Sequence, residues 1–378
     1  MTNAVIAGYA RSPFTPANRG ELAKTRPDEI AAQVVKALIE RSGVNTDDVE
    51  DLILGCAFPE GEQGLNVARM IAFLAGLPQS VAGTTVNRFC GSSMQSIHMA
   101  AGAVMMGAGD AFICAGVESM TRVPMAGFNP MPHPGLYQSM PEAYVSMGIT
   151  AENLARKYEI SREEQESFSV DSHKKAAAAQ SGGRLSDEIV AITDGNRRIE
   201  QDGCIRADAS MEALAGLKLS FDQDGSVTAG TSSPLTDGAA ATLVTSEAYA
   251  DANGLTKLAR IRSVAVAGCA PEIMGIGPVA ASRKALERAG VAMGDIDVVE
   301  LNEAFAAQSL PCIRDLDIDM AKTNLDGGAI ALGHPLGATG ARITGKAAQV
   351  LKREGGSLAL ATQCIGGGQG IATVLEAC

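Results

Sequence analysis

Tryptophan is absent, and aromatic residues make up only 4% of the 378-residue chain. A core without large rings must be filled by Ala, Val, Leu, Ile and Met, and 42 glycines mark many tight turns and close backbone approaches. No run of Lys or Arg occurs, and the net charge is −12, from 31 basic against 43 acidic side chains. Nucleic acid and anionic membrane need a basic face, so neither is expected as a partner. An acidic chain still accommodates an anionic ligand at a local basic spot. No stretch of eighteen apolar residues is present, so no membrane-spanning helix is expected. The start, Met1-Thr2-Asn3-Ala4-Val5-Ile6-Ala7-Gly8, lacks the features of an export signal. The eight cysteines form no Cys-x-x-Cys pair, which argues against a zinc site or dithiol redox motif; no metal is expected. Free thiols in a reducing, cytoplasmic compartment are the natural expectation. The last four residues, Leu375-Glu376-Ala377-Cys378, are neither a prenylation box nor a peroxisomal address.

What is present is a large apolar fraction, 46%, in a chain long enough for a sizeable core and about two domains or subdomains. Strand-like and helix-like patterns alternate. Residues 4–7 read as a strand. Residues 28–42 read as a helix, with Ile30, Val34, Val35, Leu38 and Ile39 at three-to-four spacing and Gly43 as its stop. An apolar run at 52–57, a helix at 66–75, a strand at 84–87, a small-residue helix at 91–106 and a buried strand at 111–115 follow. Between about 120 and 237 the pattern changes: five prolines break residues 120–146 into a long irregular stretch, which in a compact enzyme is usually functional. A capping box at Ser161-Arg162-Glu163-Glu164 opens a helix to about 180. Alternation then returns: strands at 240–245, 259–267, 297–301, 358–362 and 371–375, and helices at 279–289, 303–316 and 341–352. The expected architecture is two similar α/β halves, 1–119 and 238–378, with an insertion at 120–237 covering the site. The strand near 239–245 is a candidate member of the first half. Such alternation predicts a largely parallel sheet covered by helices.

Two cysteines lie in glycine-rich turns far apart in the chain: Cys90 in Val86-Asn87-Arg88-Phe89-Cys90-Gly91-Ser92-Ser93, and Cys364 in Cys364-Ile365-Gly366-Gly367-Gly368-Gln369-Gly370. Cys90 is predicted at a strand-to-helix turn, where unpaired amides and the helix dipole favour a reactive thiolate. Its alternative reading is a buried structural thiol. His334, fixed between Gly333 and Pro335, is a candidate to take the Cys90 proton and to donate to an oxyanion; otherwise it is a hydrogen-bonded loop histidine. The glycines after Cys364 permit close backbone approach and can present amides to an oxyanion, and a thiol of pKa ~8.5 can serve as acid or base after a modest shift. Read alone, they also fit a flexible turn or a weak phosphate cradle. His98, His133 and His173 are read as structural or solvated. Asn302, predicted at a strand end before a helix, is either an N-cap or a site residue.

Together these segments resemble the thiolase family. The likeness runs from about Ile6 to Leu375 and rests on Val86–Ser93, residues 302–306 (Asn-Glu-Ala-Phe-Ala), residues 327–337 (GGAIALGHPLG), residues 364–370, and Gly230-Thr231-Ser232-Ser233 followed by Asp237-Gly238-Ala239-Ala240. The resemblance implies a duplicated five-layer αβαβα fold with a central loop insertion. It implies Cys90 as the acyl-accepting nucleophile, His334 as its activator, and an oxyanion hole from His334 and a water held by Asn302. Cys364 would be the acid/base, and the amides of Cys90 and Gly366 a second oxyanion hole. Arg206, Phe221, Ala229 and Ser233 match positions along CoA; Met147, Ala304 and Phe305 match positions near the acyl and pantetheine site. Coenzyme A is implied as substrate, with no cofactor. A homodimer or homotetramer is implied, and a β-oxidation hydratase–dehydrogenase subunit is a candidate partner.

The Cys90–Gln95 segment and the loop His133-Pro134-Gly135-Leu136 are similar to degradative, broad-chain 3-ketoacyl-CoA thiolases. Many acetoacetyl-CoA-specific relatives carry His where this chain has Ser146, and some have a CoA-contacting Ser where it has Ala213. The rival readings are a short-chain acetoacetyl-CoA thiolase working in the condensing direction, a ketoacyl synthase, and a non-catalytic acyl-CoA binding protein. Cys364 argues against the synthase, and retention of Cys90, His334 and Cys364 argues against the binding protein.

Overall fold

The computed structural model describes residues 2–378. In chain order the first part contains β1 (Ala4–Arg11), β2 (Thr15–Pro16), α1 (Pro27–Ser42), β3 (Val49–Gly55), α2 (Val67–Leu74), β4 (Ala82–Val86), α3 (Ser92–Met106) and β5 (Ala111–Ser119). The middle holds α4 (Pro134–Ser139), α5 (Met147–Lys157), α6 (Arg162–Ser181), β6 (Ile192–Asp194), β7 (Arg197–Ile199) and α7 (Met211–Ala215). Then come β8 (Thr236–Ser246), α8 (Glu247–Ala252), β9 (Ala259–Gly268), α9 (Gly277–Ala289), β10 (Val298–Leu301), α10 (Ala306–Leu316), α11 (Ala329–Leu332), α12 (Leu336–Glu354), β11 (Leu358–Ile365) and β12 (Gln369–Glu376). Local signals explain several boundaries. Pro27 opens α1, where its missing N–H costs nothing, and Gly43 ends it in the left-handed region at φ 71°. Ser161 and Glu164 form the reciprocal capping box of α6.

The strands run in the order β10-β11-β12-β9-β1-β8-β5-β3-β4, with β2 added to β8. Two groups meet edge to edge through a short antiparallel link, Val5↔Arg260 and Ile6↔Ala259. Each group repeats one pairing pattern. In the first, β3–β5 is parallel, then β5–β8 and β8–β1 are antiparallel. In the second, β10–β11 is parallel, then β11–β12 and β12–β9 are antiparallel. The first group has β4 beside β3; the second has only a single parallel bridge, Val299↔Thr323, beside β10. When the halves are aligned on the last pair of each parallel ladder, Gly55↔Gly116 and Leu301↔Thr362, Cys56 matches Asn302 and Glu118 matches Cys364.

Five layers result. α1 and α2 cover the outside of the first strand group, and α9 and α10 the outside of the second. Between them lie α3 and α12. α12 packs against β1, β5 and β8 on one side and β10 and β11 on the other, and is buried on all faces from Leu336 to Ala348. Ile6, Met94, Val298, Ile343 and Leu375 share one apolar cluster there, drawn from both halves.

The central layer is thin because glycine lets backbone meet backbone. A Cβ on Gly55 would lie 2.2 Å from the Ser93 amide nitrogen, one on Gly116 2.2 Å from the Gly337 carbonyl oxygen, and one on Gly340 2.2 Å from the Met94 nitrogen. Ser93 Oγ also accepts the Ala341 amide at 2.8 Å, joining the first turn of α3 to the second turn of α12 directly. Three cations enter this interior and all are paired. Arg11 binds Glu188 (2.8 Å) and both oxygens of Asp202 (2.7 Å each), Lys346 binds Glu188 (2.9 Å) and Asp326 (2.7 Å), and Arg342 binds Glu300 (2.9 Å). Removing one member would leave an uncompensated buried charge.

The sheet is mostly antiparallel, not largely parallel as the alternation of strands and helices predicted. Among the strand pairs of the described residues only β3–β4, β3–β5 and β10–β11 run parallel, since β12 folds straight back on β11 through the glycine turn and β8 enters antiparallel between β1 and β5. Two helix starts also differ from the sequence expectation. The helix expected at 303 begins at Ala306, because the Glu303 carboxylate turns inward to Ser172, Asn324 and the Ile330 amide. Asn302 is therefore not an N-cap. The helix expected at 341 begins at Leu336, since glycines at 337 and 340 are required by packing and do not end the helix.

Gly340→Ala forces a methyl group into the Met94 backbone and is expected to destabilise by about 1–3 kcal/mol. Gly102, in α3 with no atom within 4 Å of its missing Cβ, should instead gain up to about 1 kcal/mol on conversion to Ala. Thermal unfolding by circular dichroism checks both; equal melting temperatures for Gly340→Ala and the parent would refute the close-packing account.

Candidate active site

The turn carrying Cys90 is held under strain. Phe89, not a glycine, sits at φ 43°, in the left-handed region. Three local hydrogen bonds keep it there: the Phe89 amide to Asn87 Oδ1 (2.9 Å), Ser92 Oγ to the Phe89 carbonyl (2.6 Å) and the Arg88 amide to Ser92 Oγ (2.8 Å). From the other half, the Gln363 side-chain amide donates to the Cys90 carbonyl. The thiol is thus presented at the start of α3 by restraints from both halves.

His334 precedes α12 and follows Gly333, whose φ of 104° and contact with Thr236 leave no room for a side chain. Its Nδ1 lies 2.6 Å from Thr339 Oγ1, and that hydroxyl also donates to the Pro335 carbonyl at 3.2 Å. With its proton committed, the hydroxyl oxygen accepts Nδ1–H, which leaves Nε2 with the free lone pair. Asn302 Nδ2 stands 3.4 Å from that Nε2, and Asn302 Oδ1 has no hydrogen-bond partner among the described residues. Cys364 ends β11, fully buried, and the next turn directs the Gly366 amide at the Cys90 sulfur, as Cys90's own amide also does.

The two thiols and the imidazole open on one cavity of about 210 Å3. Cys90, His334 and Cys364 line it together with Met147, Phe221, Ser233, Ala304 and Phe305. Phe221 and Phe305 meet edge to face at 5.8 Å, and a side chain on Gly148 would run into the Phe221 ring. The remaining wall is largely apolar: Met120, Met125, Pro234, Leu235, Met274 and Leu336. It suits an uncharged chain beside the thiols.

Burial dominates the electrostatics. It pushes the Cys90 thiol up to about 12, against the pull of the Gly366 amide, with the Glu118 carboxylate adding to the rise. This reverses the sequence expectation that the helix start would favour a thiolate: desolvation outweighs the amide dipoles. Cys364 is likewise held well above its ordinary value by burial and by Cys90. His334 is lowered to about 3, by burial and then by the Arg342 charge. The site therefore rests neutral, as two thiols and an imidazole. A Cys90-to-His334 proton transfer becomes favourable only as a new bond forms at sulfur.

Of the residues singled out from sequence, Asn302 lies directly behind His334, fully buried, and Gly366 contributes its amide. Arg206 and Ala229 are exposed and do not line the cavity. His173, expected to be solvated or structural, is buried and accepts the Arg206 amide at 3.1 Å. His98 is paired with Thr373 Oγ1 (2.8 Å), and His133 caps α4 through Leu136. Sequence reading missed Gln363, the strained Phe89, the apolar wall residues and Glu118. The last had one visible signal, an acid in the otherwise apolar run of β5.

Comparison with known proteins extends this picture. Residues 4–248 match the family model described as thiolase, N-terminal domain, and residues 255–377 match that described as thiolase, C-terminal domain. The chain is 47% identical to a protein named 3-ketoacyl-CoA thiolase from Bacillus subtilis (strain 168), and 50% identical to one of the same name from Idiomarina loihiensis, each over 100% of both chains. Among solved structures, the Bacillus anthracis acetyl-CoA acetyltransferase superposes with a TM-score of 0.93 at 40% identity, covering 100% of this chain and 99% of that one.

A raised thiol pKa fixes the pH response of alkylation. Iodoacetamide modification of Cys90, followed by peptide mass spectrometry, should accelerate about tenfold per pH unit through pH 10, because the thiolate is still the minor form there. A plateau near pH 8 would contradict the burial argument.

Proposed function

The chain belongs to the thiolase family, and from that premise we propose that it is a 3-ketoacyl-CoA thiolase, cleaving 3-ketoacyl-CoA with CoA to acetyl-CoA and a shortened acyl-CoA. The observation that carries the reading is the convergence of Cys90, His334 and Cys364 on one cavity with apolar walls. Cys90 attacks the ketone carbon C3 as its proton passes to His334 Nε2. The ketone oxygen takes the negative charge and is stabilised by the amides of Cys90 and Gly366. Collapse breaks the C2–C3 bond. The thioester oxygen of the departing enolate accepts from His334 Nε2–H and from a water held by Asn302, whose Oδ1 is free to bind one. Cys364 donates its proton to C2, and acetyl-CoA leaves. In the second half, the Cys364 thiolate takes the proton of incoming CoA. The CoA sulfur attacks the acyl-Cys90 carbonyl, the same two amides hold the oxyanion, and acyl-CoA is expelled while His334 returns the proton to Cys90. Atoms and protons close without any further reactant.

Phe221, Ser233, Met147, Ala304 and Phe305 would hold the pantetheine and acyl portions, with Arg206 and Ala229 further out along CoA. The insertion at 120–237 would cover the site between the α/β halves. We further take the protein to be cytoplasmic, a reading supported by eight unpaired cysteines, and homo-oligomeric. A β-oxidation hydratase–dehydrogenase subunit is a candidate partner. One observation favours a second reading, a short-chain acetoacetyl-CoA thiolase: the acetyl-CoA acetyltransferase named above shares the fold closely.

Intact-protein mass spectrometry after brief mixing with acetoacetyl-CoA or 3-ketohexadecanoyl-CoA separates these. Acetyl and tetradecanoyl adducts, both lost in Cys90→Ala, are expected; an acetyl adduct alone would favour the short-chain enzyme, and no adduct would refute both. Cys364→Ala should lower thiolysis kcat by about 10²–10⁴-fold.

A further inference from the structure

One buried carboxylate that does not face the cavity is tied to several of the segments that form it. Glu118 ends β5 and is 1% exposed. Its Oε2 accepts from the amides of Ala57 (2.8 Å) and Gly337 (2.9 Å). Its Oε1 accepts from the Gln63 side-chain amide (2.9 Å) and the Phe58 amide (3.3 Å), with the Cys56 thiol at 3.6 Å. Gly337 is three residues past His334, in the first turn of α12. The loop at Ala57 and Phe58 backs the nucleophile turn: Asn87 donates to the Ala57 carbonyl at 3.0 Å, and the Phe58 and Phe89 rings pack at 6.0 Å. With both oxygens receiving strong N–H donors, the group is satisfied as a carboxylate. Burial raises its pKa from the ordinary value, and these donors oppose the rise.

We propose that Glu118 is a positioning residue that locks the His334 loop and the loop behind Cys90 in one register and places a fixed negative charge behind the nucleophile. The inference rests on the reading of Cys90 as nucleophile and His334 as its base. Two lines support it. Glu118 is the charged side chain that acts on the Cys90 sulfur; the other titratable groups there are His334 and Cys364, both neutral at rest. In the repeated halves, Glu118 also occupies the position that Cys364 holds in the other copy, next to the strand end where Cys56 stands in place of Asn302. The first half thus uses its ladder end as an anchor while the second uses the same place for chemistry. Burial keeps Cys90 a thiol until substrate arrives and the charge reinforces it, which protects the sulfur from adventitious electrophiles and oxidants.

Glu118→Gln tests this with an isosteric side chain. The amide has a single oxygen, so whichever way it turns, its NH2 faces N–H donors and one pair of tethers breaks as the charge disappears. In the folded variant, the Cys90 alkylation profile should move to lower pH, with the rate at pH 8 rising by roughly threefold or more. Thiolysis kcat should fall by roughly tenfold or more, with KM held within about threefold. A merely structural carboxylate would change thermal stability and leave the alkylation profile in place, and that result, or an unchanged kcat, overturns the proposal. Gln63→Leu guards against a Gln variant that does not fold. It keeps the charge and removes one donor, and should lower kcat several-fold with KM held; an unchanged kcat again overturns it. Failure of the parent protein to form an acyl adduct on Cys90 would instead refute the underlying reading of the site.

Discussion

Everything in this molecule depends on two helices meeting backbone to backbone between two groups of strands. α3 and α12 begin side by side; Gly340 removes the side chain that would hold them apart, and the glycines at 55, 116 and 337 let their first turns press against the ends of β3 and β5. Cys90 lies at the start of one helix and His334 at the start of the other, so their proximity is a packing result and not the product of flexible loops. Cys364 joins them because β11 ends beside both, with Gln363 bonded to the Cys90 carbonyl. Groups separated by more than 270 residues in sequence are thereby held at fixed positions before any ligand binds, which is the condition for positioning to assist a reaction.

Such depth has an electrostatic consequence. A surface thiol at a helix start would lean toward its anion; here burial reverses that tendency at Cys90, raises Cys364 as well, and strips the histidine of its charge. The resting site carries no net charge on its reacting groups. In the proposed reaction, protons move together with carbon–sulfur and carbon–carbon bond changes, and the preformed amide donors meet negative charge only where it develops. Charges that remain inside, such as Arg342 with Glu300 and Lys346 with Glu188 and Asp326, are each neutralised by a partner from another element. They cross-link the layers and stay clear of the cavity wall.

Much of this was legible in the residues. Period, capping and turn signals located most helices and strands to within a few positions, and the glycine-bound cysteines and histidine pointed to thiol chemistry. Local patterns failed where distant packing decides. Glu303 looked like the first turn of a helix, yet its carboxylate is claimed by Ser172 and Asn324 from other segments. Gly337 and Gly340 read as a loop because nothing nearby in sequence shows that they face α3 and β5. For His173 the residues left structural and solvated readings open, and the turn at Arg206, distant in sequence, decides for the structural one. The direction of the Cys90 shift was beyond reach for the same reason: the dipole is local and visible, while the desolvation comes from layers folded over it.

The doubled strand ladder carries a consequence for how the chain tolerates change. A repeated half-fold that closes on itself creates an interior seam, and the reactive groups lie along it. The two copies of the pattern carry different side chains at matching ladder ends, Glu118 in one and Cys364 in the other. Neither half holds all of the candidate reactive groups, and close backbone contacts along the seam join the two. Substitutions along this close-packed interior are therefore expected to cost more than substitutions on the solvent faces of the outer helices.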